Sequence, residues 1–223
     1  MFYGIIGAME AEIKEIVAAL SDCTADNGSY ITFYKGKLRE HDVVVCECSV
    51  ATVNAAAAAQ LMIDRFDVDC IINTGIAGGT AEYIRPLEMV VSKTAVFHDR
   101  DDGVIKNYFP HCTEFVANDD LITKAVTSAA SINVKAYIGR VATGDTFVTS
   151  NTLKEAIINR CEPLCVEMEG AAIAQVAYMN KKPFVIIRTI SDSADDNGQN
   201  EYDNFWEIAA KNSALTVIRM IEV

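Results

Sequence analysis

Four prolines, three histidines and one tryptophan are all that 223 residues contain, and the 19 basic residues are outnumbered by 31 acidic ones. Each scarcity excludes something. With so little proline and no Pro/Gly/Ser-rich stretch, no linker divides the chain, and a 51% hydrophobic content suffices for one large core, so residues 1–223 read as a single domain. A net charge of −12 repels phosphate backbones and anionic lipid surfaces, which argues against nucleic acid and membrane as partners. No apolar run reaches the ~18 residues of a membrane span, and Met1-Phe2-Tyr3-Gly4-Ile5-Ile6 lacks the basic start of a secretory leader, so a cytoplasmic protein is expected. His41, His98 and His111, with Cys23, Cys46, Cys48, Cys70, Cys112, Cys161 and Cys165, show no C-x-x-C pair and no metal-ligand spacing. The thiols, odd in number, are expected to be reduced and packed, and no metal is expected.

What is present is an alternation of strands and helices. Residues 2–8 are an apolar run, and Ile13, Ile16, Val17 and Leu20 recur at helical spacing over 9–21. Residues 31–38 and 42–48 read as paired strands around a polar turn, 53–66 as an alanine-rich helix, and 70–75 as a strand feeding a glycine-rich turn. A strand over 89–97 precedes a polar, irregular stretch at 98–112, of the kind that is usually functional in compact domains. Helix at 121–130, strand at 135–143, helix at 153–160, a helix ending at Met179, strand at 184–190 and a last helix from about 205 to 221 complete the order. This order predicts an α/β, single-domain, three-layer fold with a mixed, mainly parallel central sheet flanked by helices.

Charge at the ends of buried strands marks the candidate site. Val166-Glu167-Met168-Glu169 puts two carboxylates where an apolar strand runs into a small-residue helix, and Phe184-Val185-Ile186-Ile187-Arg188-Thr189-Ile190-Ser191-Asp192 ends in polar residues too. In open α/β sheets ligands bind just outside such strand ends. Each residue also has a plainer explanation. Glu167 and Glu169 can form a buried ion pair with Arg188, Asp192 can cap the next segment of chain, and Glu12 can complement a helix dipole at the surface. Asn73-Thr74-Gly75-Ile76-Ala77-Gly78-Gly79 can cradle an anion on backbone N–H groups or can be a tight turn only. The recurrence of Glu12, Glu169, Arg188 and Asp192 at successive strand ends favours a site.

These residues resemble the 5′-methylthioadenosine/S-adenosylhomocysteine nucleosidases of the nucleoside phosphorylase superfamily. The resemblance is carried by Gly4-Ile5-Ile6-Gly7-Ala8-Met9-Glu10-Ala11-Glu12, Ile71-Ile72-Asn73-Thr74-Gly75-Ile76-Ala77-Gly78-Gly79, Thr143-Gly144-Asp145-Thr146-Phe147, Val166-Glu167-Met168-Glu169-Gly170 and Arg188-Thr189-Ile190-Ser191-Asp192, colinear over nearly the whole chain. It implies a nucleoside phosphorylase-like fold, hydrolysis of adenine thioribosides in methionine salvage, no metal or organic cofactor, and a homodimer whose 98–112 loop lies near the neighbouring subunit's site. By the same resemblance Glu169 holds the ribose hydroxyls, Met168 packs on the sugar, and Asp192, protonated, faces purine N7 and the exocyclic amine. Phe147 stacks on the base beside the Val148 backbone, Glu12 activates water, and Arg188 organises the carboxylates. Ala8, Met9, Val50, Ile76, Gly78, Glu167, Ser191 and Tyr202 complete the implied substrate-binding set.

The departures from the family pattern matter as well. Ile76 stands where serine is common, Ser49-Val50-Ala51-Thr52-Val53-Asn54 replaces a more glycine-rich run, Asp102 lies in a shortened loop that is commonly apolar, and Tyr202 replaces phenylalanine. Three alternatives stay open: phosphorolysis, a nucleosidase for another 5′-substituted adenosine such as aminofutalosine or 5′-deoxyadenosine, and a nucleoside-binding protein without turnover. Loss of Glu12 or Asp192 would mark the last, and both are present.

Overall fold

The first run, Phe2-Tyr3-Gly4-Ile5-Ile6-Gly7, is apolar on both faces, the pattern of a strand covered on either side, and it forms the buried strand β1 (Phe2–Gly7). The computed structural model describes residues 1–222. After β1 come α1 (Glu10–Ala19), β2 (Ser21–Asp26), β3 (Phe33–Leu38), β4 (His41–Glu47), α2 (Thr52–Phe66), β5 (Cys70–Gly79) and β6 (Met89–Phe97). The second half adds α3 (Asp102–Asn107), β7 (Glu114–Val116), α4 (Asp119–Ser131), β8 (Ala136–Thr143), α5 (Asn151–Cys161), β9 (Cys165–Glu167), α6 (Gly170–Met179), β10 (Phe184–Asp192) and α7 (Gly198–Glu222).

The sheet runs β10-β6-β8-β9-β5-β1-β4-β3-β2, with β7 on β6 and a further pairing of β10 with β5. That last pairing closes β5, β10, β6, β8 and β9 into a ring, from which β1, β4, β3 and β2 extend. β1 pairs in parallel with β4 and β5, β10 with β5, and β8 with β6 and β9, while β10 with β6 and β5 with β9 run antiparallel, so the sheet is mixed. Helices cover it: α1 packs on α7, and α7 on β10 and β5, while α2 lies on α6. Ala55, Ala58 and Ala59 of α2 and Ala171, Ala174 and Ala177 of α6 are fully buried, small residues that let helix and sheet approach closely. Among the described residues no helix is long and apolar enough to cross a membrane.

Four local expectations are corrected. Residues 73–79 are not a turn but the continuation of β5, buried throughout. Its glycines answer to close approach rather than to backbone conformation, since no glycine has a positive φ. A Cβ on Gly75 would collide with the Arg188 guanidinium and the Glu12 carboxylate, and one on Gly78 would meet Asp192 Oδ1 at 2.8 Å. The helix expected over 9–21 stops at Ala19, and the exposed, polar Ser21–Asp26 adds an antiparallel edge strand to β3. The irregular 98–112 stretch contains the short α3, the 3-residue β7 comes just after it, and the last helix starts at Gly198, one and a half turns or more before its apolar pattern becomes legible.

Candidate active site

Glu12 occupies the third position of α1, and folding turns it inward: it is 1% exposed, which removes the surface explanation for it. Its Oε2 accepts from the N–H groups of Ala8 (2.6 Å) and Met9 (3.0 Å), and its Oε1 from the Ile76 N–H (3.0 Å). The anion-holding capacity of the 73–79 segment is therefore used within the chain, on Glu12. Burial raises the Glu12 pKa, against the opposing pull of Arg188 and the three backbone donors.

Arg188, 1% exposed, rises from β10 behind this point. Its Nη2 donates to Asn73 Oδ1 (2.7 Å), to Glu167 Oε2 and to Glu169 Oε2 (3.3 Å), and its Nη1 lies 4.0 Å from Glu12 Oε1. Three carboxylates thus surround one guanidinium, and they hold Arg188 protonated despite its burial. Glu167 is further fixed by the Thr143 hydroxyl and by the N–H groups of Glu169 (3.0 Å) and Gly170 (2.7 Å), which places a negative charge at the start of α6. Glu169 Oε1 accepts from the Ala51 N–H at 2.9 Å. Burial, with the nearby Glu167 charge, pushes Glu169 up to about 7 although Arg188 and the Ala51 N–H pull it down.

Asp192 ends β10. The pairing with β5 skips a residue between Ile190 and Asp192, a local irregularity that re-aims the side chain. Its Oδ2 accepts from Ser191 Oγ (2.7 Å) and its Oδ1 from the Ala194 N–H (2.9 Å), so it makes a local turn and caps no helix directly. Burial raises its pKa in spite of those two bonds, which favours the protonated, donor form.

The four carboxyl groups open onto one cavity of about 440 Å³. Glu12, Glu167, Glu169, Ser191 and Asp192 supply its charged and polar wall. Ala8, Met9, Val50, Ile76 and Gly78 line it from the ends of β1, β4 and β5, and Phe147, Val148, Met168 and Tyr202 line it from the remaining sides. Of the residues singled out in the sequence only Arg188 is absent from the wall, because the carboxylates stand between it and the space. Phe147 and Tyr202 meet edge-on with centroids 5.4 Å apart, forming an aromatic corner. Sequence reasoning missed Ala77, Thr146, Val166 and Gln199 as lining residues. Ala77, Thr146 and Val166 lie inside the motifs that carry the resemblance, which was the available clue; Gln199 lies in a polar stretch with no pattern. Among the described residues no group of three or more His, Cys, Asp or Glu side chains is arranged to hold a metal ion.

Asp102, which departs from the apolar character expected of its loop, pairs with Arg160 Nη2 of α5 at 3.0 Å. No residue of 98–112 lines the cavity of its own chain.

The model of the phosphorylase superfamily matches residues 2–222. A 5′-methylthioadenosine/S-adenosylhomocysteine nucleosidase of Colwellia psychrerythraea is 37% identical over 98% of this chain and 94% of its own length. The crystal structure of such a nucleosidase from the same organism, in complex with adenine, superposes with a TM-score of 0.93 at 36% identity, over 99% of this chain and 94% of that one. The enzyme from Neisseria meningitidis in complex with methylthio-immucillin-A gives a TM-score of 0.92 at 32% identity, over 99% and 98%. A family match over residues 2–222, together with a nucleosidase 37% identical over nearly the whole chain, places the chain in the phosphorylase superfamily and, within it, in the 5′-methylthioadenosine/S-adenosylhomocysteine nucleosidase family.

Proposed function

We propose that this protein hydrolyses the N-glycosidic bond of 5′-methylthioadenosine and S-adenosylhomocysteine, releasing adenine and the thioribose. One observation carries the reading: a single cavity has a buried carboxyl with a raised pKa, Asp192, beside an aromatic wall, and also the carboxylates of Glu12 and Glu169 around Arg188. Glycosidic cleavage through an oxocarbenium-like state needs a proton for the leaving group and negative charge near the sugar. Asp192 would donate its proton to purine N7 while its other oxygen accepts from the exocyclic amine, with Phe147 on the base and the Val148 backbone at its edge. Glu169 would hold the ribose hydroxyls with Met168 against the sugar. The water oxygen attacks C1′, the C1′–N9 bond breaks with its electrons going to the base, and Glu12 takes the water's proton, its orientation fixed by the three backbone donors.

The same donors argue for water over phosphate. An anion seated on the Ala8, Met9 and Ile76 N–H groups would have to displace the Glu12 carboxylate, which already occupies all three. Ile76 in place of serine does not weaken this arrangement, since its contribution to Glu12 is through the backbone.

We further propose that chain 1–223 is one catalytic domain acting as a cytoplasmic homodimer. Tyr108 and Phe109 are 70% and 66% exposed on a segment that misses its own cavity, which suits a contact with a second subunit's site. The seven cysteines are all unpaired, as in a reducing compartment. A second reading is favoured by Tyr202: its hydroxyl lies 3.9 Å from Met9 Sδ, a weak contact that leaves it available to a polar 5′ group such as that of aminofutalosine.

The test is adenine release from methylthioadenosine, adenosylhomocysteine, aminofutalosine and adenosine, with and without phosphate. Phosphate-independent release from the first two is expected. Dependence on phosphate overturns hydrolysis, faster release from aminofutalosine moves the substrate to the second reading, and tight binding without release makes this a binding protein.

A further inference from the structure

We propose that Asp145 is a positioning residue that clamps the loop carrying Val50 and Ala51 to the loop carrying Phe147 and Val148, and thereby sets Glu169. The proposal deepens, and rests on, the nucleosidase reading above.

Asp145 does not line the cavity, yet it grips the chain beside it with both oxygens. Its Oδ1 accepts from the Thr52 N–H and its Oδ2 from the Thr52 hydroxyl, each at 2.8 Å. Thr52 opens α2, and the residue before it, Ala51, offers no capping side chain. Asp145 therefore caps α2 from a distant part of the chain, and the second bond, to the hydroxyl, fixes orientation as well as distance. Its own N–H donates to Asp99 Oδ2 at 2.9 Å, so the start of the 98–112 segment joins the same knot. Arg100 adds an attraction to both aspartates.

The segments on either side of this knot give it a consequence for the site. Ala51 has φ 85° and ψ 161°, a region occupied almost only by glycine. Such a conformation persists only where its surroundings over-determine it. The two bonds from Asp145 hold the next residue, and the Ala51 N–H, turned inward, is the donor to Glu169 Oε1. Val50, one residue earlier, forms part of the cavity wall. Two and three residues beyond Asp145, Phe147 and Val148 line the same cavity. One carboxylate thus ties the segment of Val50 and Ala51 to the segment of Phe147 and Val148, both of which reach the cavity. A helix cap alone would require the bond to the Thr52 N–H and none of the rest.

The experiment measures kcat and KM for methylthioadenosine across the pH range in the full-length protein and in Asp145→Ala, Asp145→Asn, Thr52→Val and the Asp145→Ala/Thr52→Val double variant. Asp145→Ala should lower kcat/KM about 30-fold, because small misplacements of a positioned group are costly. It should also move the acid limb of the profile upward, because the Ala51 N–H that holds Glu169 down is released; Arg188, Glu167 and Glu12, the other charges facing Glu169, are unchanged. Asp145→Asn should stay within ~3-fold of the parent, since the amide oxygen can accept from the Thr52 N–H and the amide nitrogen can donate to its hydroxyl. The double variant should be no worse than Asp145→Ala, as expected of residues acting through one contact. A folded Asp145→Ala with unaltered kcat/KM and acid limb, whatever its melting temperature, overturns the proposal and leaves a helix cap. An additive double variant also overturns it. If Asp145→Ala does not fold, Thr52→Val decides: a parental rate and acid limb overturn the clamp, and a loss with a raised limb supports it. If the parent releases no adenine, the nucleosidase reading fails, and hydrogen exchange at the Ala51 amide still decides the clamp. Protection lost in Thr52→Val supports it, and protection retained overturns it.

Discussion

Around Arg188 all six carboxylate oxygens of Glu12, Glu167 and Glu169 are met by a donor from the chain, whereas along the aromatic and apolar wall Phe147 is 42% and Val50 40% exposed. One region of the cavity is therefore finished within the chain and the other is left open. The difference reflects what each must do. Charge that stabilises a developing cation is effective only if it is held in place and kept from water before the substrate arrives. A surface that recognises a base and a 5′ group must admit them first, and it can be completed by a loop or a second subunit.

Changes in the finished region should accordingly lower kcat, and changes in the open one should raise KM. Glu12→Gln should have the largest effect, a fall in kcat on the order of 10⁴-fold with KM nearly unchanged, as measured by adenine release. A rise in KM instead would mean that Glu12 serves binding and that the division is wrong. Asp192→Asn removes the carboxyl proton without changing shape, and kcat should fall on the order of 10³-fold. Retained turnover would take the leaving-group role from Asp192.

The pH profile sharpens the same division. Glu169 must be ionised, and its value near 7 means that kcat/KM should fall about tenfold per unit as the pH drops below that. Asp192 must be protonated, so activity should also fall as the pH rises through its raised value. The limbs belong to the linked set of carboxylates, and in Glu169→Gln the acid limb should disappear from what activity remains. An acid limb that persists unchanged in that variant would assign it to Glu12, whose pKa burial also raises. The smallest effect is expected at Phe147→Ala: a rise in KM of about tenfold from lost stacking on the base, with kcat little altered.

Much of the finished region was legible in the sequence because charge at the end of an apolar strand is locally anomalous. Glu167, Glu169, Arg188 and Asp192 stand out for that reason, and the sheet then brings the three carboxylates to one cavity with Arg188 in contact with Glu167 and Glu169. The glycines of 73–79 read as a turn in the sequence because their cause is not local: the atoms that exclude a Cβ at Gly75 belong to Arg188 and Glu12, on other elements. β2 and β7 escape sequence reasoning for another reason. Both are short or exposed strands without apolar alternation, and pairing with β3 and β6 defines them. The open region was the less legible one, since Gln199 and the Asp145–Thr52 contact join segments whose own sequences carry no mark of the partner.

The ring formed by β5, β10, β6, β8 and β9 has a bearing on how the molecule behaves at high concentration. Strands that close on each other offer no free row of N–H and C=O groups, so the sheet segment bearing Arg188 and Asp192 cannot template pairing with another chain. The long free edge falls instead on β2, far along the sheet, where Asp22 has φ 52°, the register with β3 shifts between Ser21 and Thr24, and Asp22 and Asp26 carry charge. A kinked, acidic border is a poor seed for fibrils, and the fold thereby keeps its self-association hazard and its chemistry at opposite ends of one sheet.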